Sequence, residues 1–432
     1  MYDLPQVQAS EARFAPADRR AWVPLFLWLF VFTMVVRCAF FVRQRYGGDY
    51  ARVDAYNLVN IVATFAIAAL LAIRLQDVVL AVREAGAGIK CLVFYYAVCG
   101  VAGLWSPSPE YSTFRVFEFL ACFLAIMLML RRSGSFLKAE RLALIWMILT
   151  LALEMGGQIH RAGWGAFNTN RYSITAAMLA AYSFGEFASA TGRRKRLLVI
   201  TLVIGLGGVL LGTSTGSNLS LAGGLVVLLI LSPRHWRYIL FAIPALLLVG
   251  SWARFLESVL AGKSVEQVVT LHNRFGIWVD GWDLFIQRPL LGYGLNLATR
   301  LYGVVGSSHN AYIEVLLGGG ILGAGALFFG CLVILRDLRR SVKRRATGSL
   351  GCYIATVVYL INGVSAPTIG YILTPHGIAF TFMLALFVYH VRCAAEKSLE
   401  PLTISSAQFT QWSQIPRLYV NRKAPEPSQE VP

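Results

Sequence analysis

Carboxylates are scarce in this sequence. Only 22 Asp and Glu stand against 39 Lys and Arg, a formal net charge of +17, and charged residues of every kind make up 14% of the 432 residues. With 57% of the chain hydrophobic and a mean hydropathy of +0.61, so little charge excludes a soluble globular domain of this length. The basic excess would suggest nucleic acid on a soluble protein, but here it sits in short connections between apolar runs, and no nucleic-acid partner is expected. The seven cysteines (Cys38, Cys91, Cys99, Cys122, Cys331, Cys352, Cys393) form no C-x-x-C pair and fall in or beside apolar runs, which excludes a disulfide framework and a zinc site. There is no P-loop, no G-x-S-x-G and no dinucleotide fingerprint. No small-residue cleavage site follows the polar N-terminus, so the first apolar run is expected to stay as an anchor.

What the sequence has in abundance is apolar runs. A spanning helix needs roughly 20 such residues. Windows of that kind lie near 22–42, 57–80, 88–104, 113–130, 141–159, 172–190, 196–212, 217–232, 236–256, 311–335, 348–366 and 371–392. They predict an all-α, polytopic membrane protein with about 12 transmembrane helices. Basic residues collect in alternate connections: Arg131, Arg132, Lys138 and Arg141; then Arg193 to Arg196; then Arg336 to Arg345. By the positive-inside rule these are cytoplasmic, and the connections WSPSPEYST, GTSTGS and SAPTIGY, which lack Lys and Arg, are outside. The expected organisation is a cytoplasmic segment 1–21, transmembrane helices over 22–256, a periplasmic catalytic loop 257–310, three more helices over 311–392 and a cytoplasmic tail 393–432. Arg37 and Arg74, near helix ends, are expected to snorkel, and Glu118 and Glu154 fall inside apolar windows without an evident partner.

The 257–310 connection is the one outer segment large enough to build a site. From Ser264 to Gln287 it has helical spacing, with Arg274, Trp278 and Trp282 on one face, and Pro289 and Gly292-Tyr293-Gly294 end that helix. Ser308-His309-Asn310 then precedes an apolar run, with Ser307 or Ser308 as the expected N-cap of a new helix. Unpaired N–H groups at such a helix start would hold His309 neutral and attract an anion. From position alone His309 reads equally as an interfacial polar residue or as a base. Arg274 would ordinarily snorkel or meet a headgroup phosphate, but with Arg161 and Arg171 of the shorter outer loop it makes a set of outward arginines suited to clamping a pyrophosphate. Outer acidic residues are scattered without a D-x-D pair, so a metal-free phosphate site with no cofactor is expected; Asp280 and Asp283 are the candidates against it.

Three stretches then carry a resemblance: Asn273-Arg274 with Trp278, Arg288 to Gly294 (R-P-L-L-G-Y-G), and Ser308 to Glu314 (S-H-N-A-Y-I-E) before a glycine-rich run. Together they resemble the O-antigen ligase family, which shares a domain with O-antigen polymerases and protein O-oligosaccharyltransferases. The resemblance is motif-specific over about 273–323 and implies a GT-C type glycosyltransferase. It would be an inverting enzyme in the bacterial inner membrane with its active site facing the periplasm. The implied donor is O-antigen on undecaprenyl pyrophosphate and the implied acceptor a sugar hydroxyl of lipid A-core. His309 and Arg274 are implied as catalytic, and Arg161, Arg171, Arg274, Arg288 and Asn310 as pyrophosphate-binding. Many members have Ser-Arg-Gly where this chain has Ser214-Thr215-Gly216, so Arg161 or Arg171 is expected to substitute. Chain length leans toward a ligase over its relatives, and a transporter is the alternative of a different class.

Overall fold

A computed structural model of the protein describes residues 22–40, 55–162, 170–212, 214–236, 274–297, 308–370 and 373–397. Among them every regular element is helical: α1 Trp22–Phe40, α2 Ala55–Ile73, α3 Leu75–Glu84, α4 Gly86–Gly103, α5 Pro109–Arg131, α6 Phe136–Ala162, α7 Asn170–Phe187, α8 Gly192–Leu211, α9 Thr215–Leu231, α10 Arg274–Gln287, α11 Ala311–Lys343, α12 Ser349–Asn362, α13 Pro375–Leu386 and α14 Arg392–Lys397. Six helices are long and apolar enough to cross a membrane, or seven if the bent α2–α3 pair is one span, and α9 and α12 are shorter apolar helices. In lipid a helix satisfies its own backbone polar groups, which is why apolar runs of this length fold this way. Of the twelve expected windows, the one near 236–256 lies almost wholly outside the described residues, as do the proposed loop residues 257–273 and 298–307.

The window at 57–80 is corrected by the structure. The helix breaks at Arg74 (φ −115°, ψ 28°) and α3 turns off at 87°. The cause is polar: Asp77 holds Arg132 at 2.7 Å and lies 3.5 Å from Arg74, while Glu84 takes a two-pronged bond from Arg131 at 2.7 and 2.8 Å. A helix with these partners stays at the end of the bundle. Arg74 is therefore buried at a bend, where a snorkelling side chain was expected.

The helices share two distinct ends. At the basic end lie all three basic clusters read from the sequence. There Glu186 accepts from the Gly348 and Gly351 amides (2.9 and 3.0 Å) and from Arg194 (2.8 Å), and Arg194 forks onto Glu140. Small residues let the helices approach closely, as at Gly205, where an added Cβ would stand 2.6 Å from the Ala180 nitrogen. At the opposite end lie the 104–108 and 363–370 turns, α10, the 288–297 connection and the start of α11. Glu154, unassigned from sequence, accepts from Thr175 at 2.9 Å and faces His376 at 4.0 Å.

Candidate active site

The R-P-L-L-G-Y-G stretch and the glycine run after it form one piece of structure. At Gly320 (φ 59°, ψ −162°) α11 is broken, and the residues after α10 fill the break. Tyr293 and Gly294 donate their amides to the Leu317 and Gly318 carbonyls at 2.7 and 3.0 Å, and the amides of Ile321 and Leu322 donate to Pro289 and Leu290 at 2.8 and 3.3 Å. Four backbone groups of α11 beside the break thereby find a partner from the connection. A side chain at Gly320 would overlap the Leu290 backbone, and one at Gly292 the Leu317 carbonyl. The stitch ties α10 to α11.

α10 presents Arg274 and Trp278 one turn apart to the turn that starts α11. Trp278 Nε1 donates to the Ser308 carbonyl at 3.0 Å, and Arg274 donates to the Ser365 carbonyl at 2.8 Å. Fully buried Ser308 gives its amide (3.0 Å) and hydroxyl (2.9 Å) to the Glu314 carboxylate one turn into α11. Between these fixed neighbours His309 adopts φ 51°, a left-handed conformation that a side chain holds only when its surroundings impose it. Glu314 and Ser365 were not singled out from the sequence as site residues, because their role lies in contacts that no spacing reveals.

The N-cap differs from the expectation. Asn310 holds that position, its Oδ1 accepting from the Tyr312 and Ile313 amides (2.9 and 3.2 Å), in place of Ser307 or Ser308. The Ala311 amide goes to the Gly363 carbonyl (2.8 Å) and that of Glu314 to Asn310 (3.1 Å). All four first-turn N–H groups are thus taken up, and an anion beside His309 would not be met by them. His309 is held below the ordinary histidine range instead by burial first and by the Arg274 charge second. Arg274 is itself lowered by burial, and among the described residues it meets no carboxylate, only the Ser365 carbonyl.

Of the remaining expected residues, Arg288 is joined to the 104–108 turn, donating to the Trp105 carbonyl at 2.6 Å with its guanidinium over the Tyr293 ring. The side chains of Arg161 and Arg171 lie outside the described ones. The first turn of α7, where Arg171 stands, sits against the α8–α9 turn: Tyr172 donates to the Leu211 carbonyl at 2.9 Å, and Ser173 abuts Gly212. That same turn packs Gly216 on Ser365, whose carbonyl holds Arg274. Asp280 and Asp283 are exposed on α10, and among the described residues no three His, Cys, Asp or Glu side chains converge as a metal-ligand set.

Residues 200–329 match the O-antigen ligase family model, so this part of the chain is similar to that family. The matched span runs from α8 into α11 and contains Arg274, Arg288, His309, Asn310 and Glu314, whereas Arg161, Arg171 and Ser365 lie outside it. No curated protein and no solved structure matches the chain.

Proposed function

We propose that this multi-pass membrane protein of the O-antigen ligase family is an O-antigen ligase. It transfers the polysaccharide from undecaprenyl pyrophosphate to a sugar hydroxyl of lipid A-core. The observation that carries the reading is the placing of Arg274, which meets a backbone carbonyl and no carboxylate among the described residues, beside His309, whose protonated form its charge disfavours, at one end of a bundle of apolar helices. A half-buried cation with no carboxylate among its described neighbours is a site for an anion, and pyrophosphate is the anion that a lipid-linked sugar donor brings. A neutral imidazole beside it is a base.

The acceptor hydroxyl attacks the anomeric carbon, and His309 takes its proton. A new C–O bond forms as the bond to the pyrophosphate oxygen breaks, and the leaving pyrophosphate keeps the electron pair, stabilised by Arg274. A single displacement inverts the anomeric centre. The Nδ2 group of Asn310, which caps nothing, remains to donate to a phosphate oxygen. Arg171, at the first turn of α7, supplies the charge of the arginine absent at Thr215, with Arg161 as a further pyrophosphate ligand; Arg288, at the other end of α10 from Arg274 and about 21 Å along the helix from it, anchors the 104–108 turn instead. The basic clusters at the far end support a cytoplasmic placement of that end and a periplasmic site.

Purified protein with both lipids tests the division of roles. His309→Ala should lower kcat by about 10² to 10⁴, whereas Arg274→Ala should chiefly raise the donor KM. Near-normal turnover of His309→Ala at saturating substrate would remove the general base from the mechanism.

A further inference from the structure

A second cluster of charge lies at the same end of the bundle, where α1, α2 and α5 meet. Glu118 of α5 is fully buried, and its two carboxylate oxygens are both occupied: one accepts from Asn60 of α2 and the other from Arg115 at 2.5 Å. Arg37 of α1 comes only to 4.0 Å from the same carboxylate, too far for a hydrogen bond. Two guanidiniums thus share one carboxylate, so that among the described residues the cluster carries one positive charge in excess. Three of its polar atoms, Arg37 Nε, Arg115 Nε and Asn60 Oδ1, are buried with no hydrogen-bond partner. A structural ion pair would be balanced and its donors satisfied; an excess arginine in a low-dielectric site costs free energy that no second carboxylate among the described residues offsets. Both arginine side chains keep an outward edge, 16% and 15% exposed.

The cluster is also continuous with the active-site elements. The Arg115 guanidinium lies 5.0 Å from the centre of the Tyr111 ring, and the Tyr111 hydroxyl accepts at 3.0 Å from Asn296, in the connection that stitches α10 to α11.

Resting on the proposed function, in which two lipids must meet at one site, we infer that Arg37 and Arg115 bind a phosphate monoester carried by the acceptor glycolipid. Guanidinium N–H groups match phosphate oxygens, and the free Asn60 carbonyl suits a hydroxyl donor on the same headgroup. The site then orients the acceptor while Arg274 holds the donor.

The test uses purified full-length protein in a phosphate-free maltoside detergent, with phosphorylated and phosphatase-treated acceptor. Arg37→Gln should raise the acceptor KM about ten- to a hundredfold, the range for one charge-assisted hydrogen bond, with donor KM and kcat unchanged and Arg37→Lys recovering part of the loss. Dephosphorylation should impose the same loss on the wild type and none on Arg37→Gln. An acceptor KM that ignores either change overturns the inference, and the phosphatase comparison needs no variant to fold. Added phosphatidylglycerol that competes with acceptor in the wild type but not in Arg37→Gln would reassign the cluster to bulk headgroups. Direct binding of labelled acceptor, compared between wild type and Arg37→Gln, reads the site even if no transfer is seen, so a failure of the catalytic assignment remains distinguishable.

Discussion

His309 owes its chemistry to its neighbours. Burial and the Arg274 charge both disfavour the imidazolium, so the His309 imidazole stays deprotonated to lower pH than an ordinary histidine; if it is the proposed base, activity should be lost only as pH falls through that lowered value. Replacing Arg274 with Gln removes the repulsion and should move the acid limb of the kcat/KM profile to higher pH. A limb that stays put or moves lower would sever the two residues. Both were legible in the sequence, as a helix-face arginine and a histidine before an apolar run. Asn310 as the cap was not, because Ser308, an equally good capping residue, is engaged by Glu314. Nor was Arg37 legible as a neighbour of Glu118: the 22–42 window holds the single charge Arg37 and the 113–130 window Arg115 and Glu118, and neither gives a sign that the two helices meet.

At the scale of elements, apolar length predicted the helices well, since lipid leaves the backbone few alternatives. It did not predict their interruptions. The 57–80 window hid the bend at Arg74, whose cause is the pairing of Asp77 and Glu84 with arginines of a distant turn. The glycine run 318–320 was legible only as part of the family resemblance; that α11 breaks there and is restitched by residues 289–294 depends on contacts between two segments. Gly320 sits in a backbone region open essentially only to glycine, and its Cβ position is occupied by Leu290. Gly320→Ala should therefore cost about 1–3 kcal/mol, read as a lower melting temperature by intrinsic fluorescence, and should lower transfer activity by displacing α10. An unchanged melting temperature would mean that the stitch is dispensable.

The whole molecule is a two-ended bundle, and that polarity was already present in the distribution of Lys and Arg. The three basic clusters share one end and the candidate site occupies the other, so the orientation can be tested with a single pair of fusions. Alkaline phosphatase joined after Gly306 should be active and after Lys343 inactive; the reverse pattern would turn the site toward the cytoplasm and away from its proposed substrates.

Ligase and polymerase would share this donor chemistry, so no site variant separates them, and the acceptor decides. The most direct measurement follows purified protein with labelled O-antigen on undecaprenyl pyrophosphate and lipid A-core, in excess EDTA. The account predicts that label moves to lipid A-core as one block, with inversion at the anomeric carbon. Label that stays on undecaprenyl pyrophosphate while its chain lengthens, or transfer that stops on chelation and resumes with Mg²⁺, would contradict it.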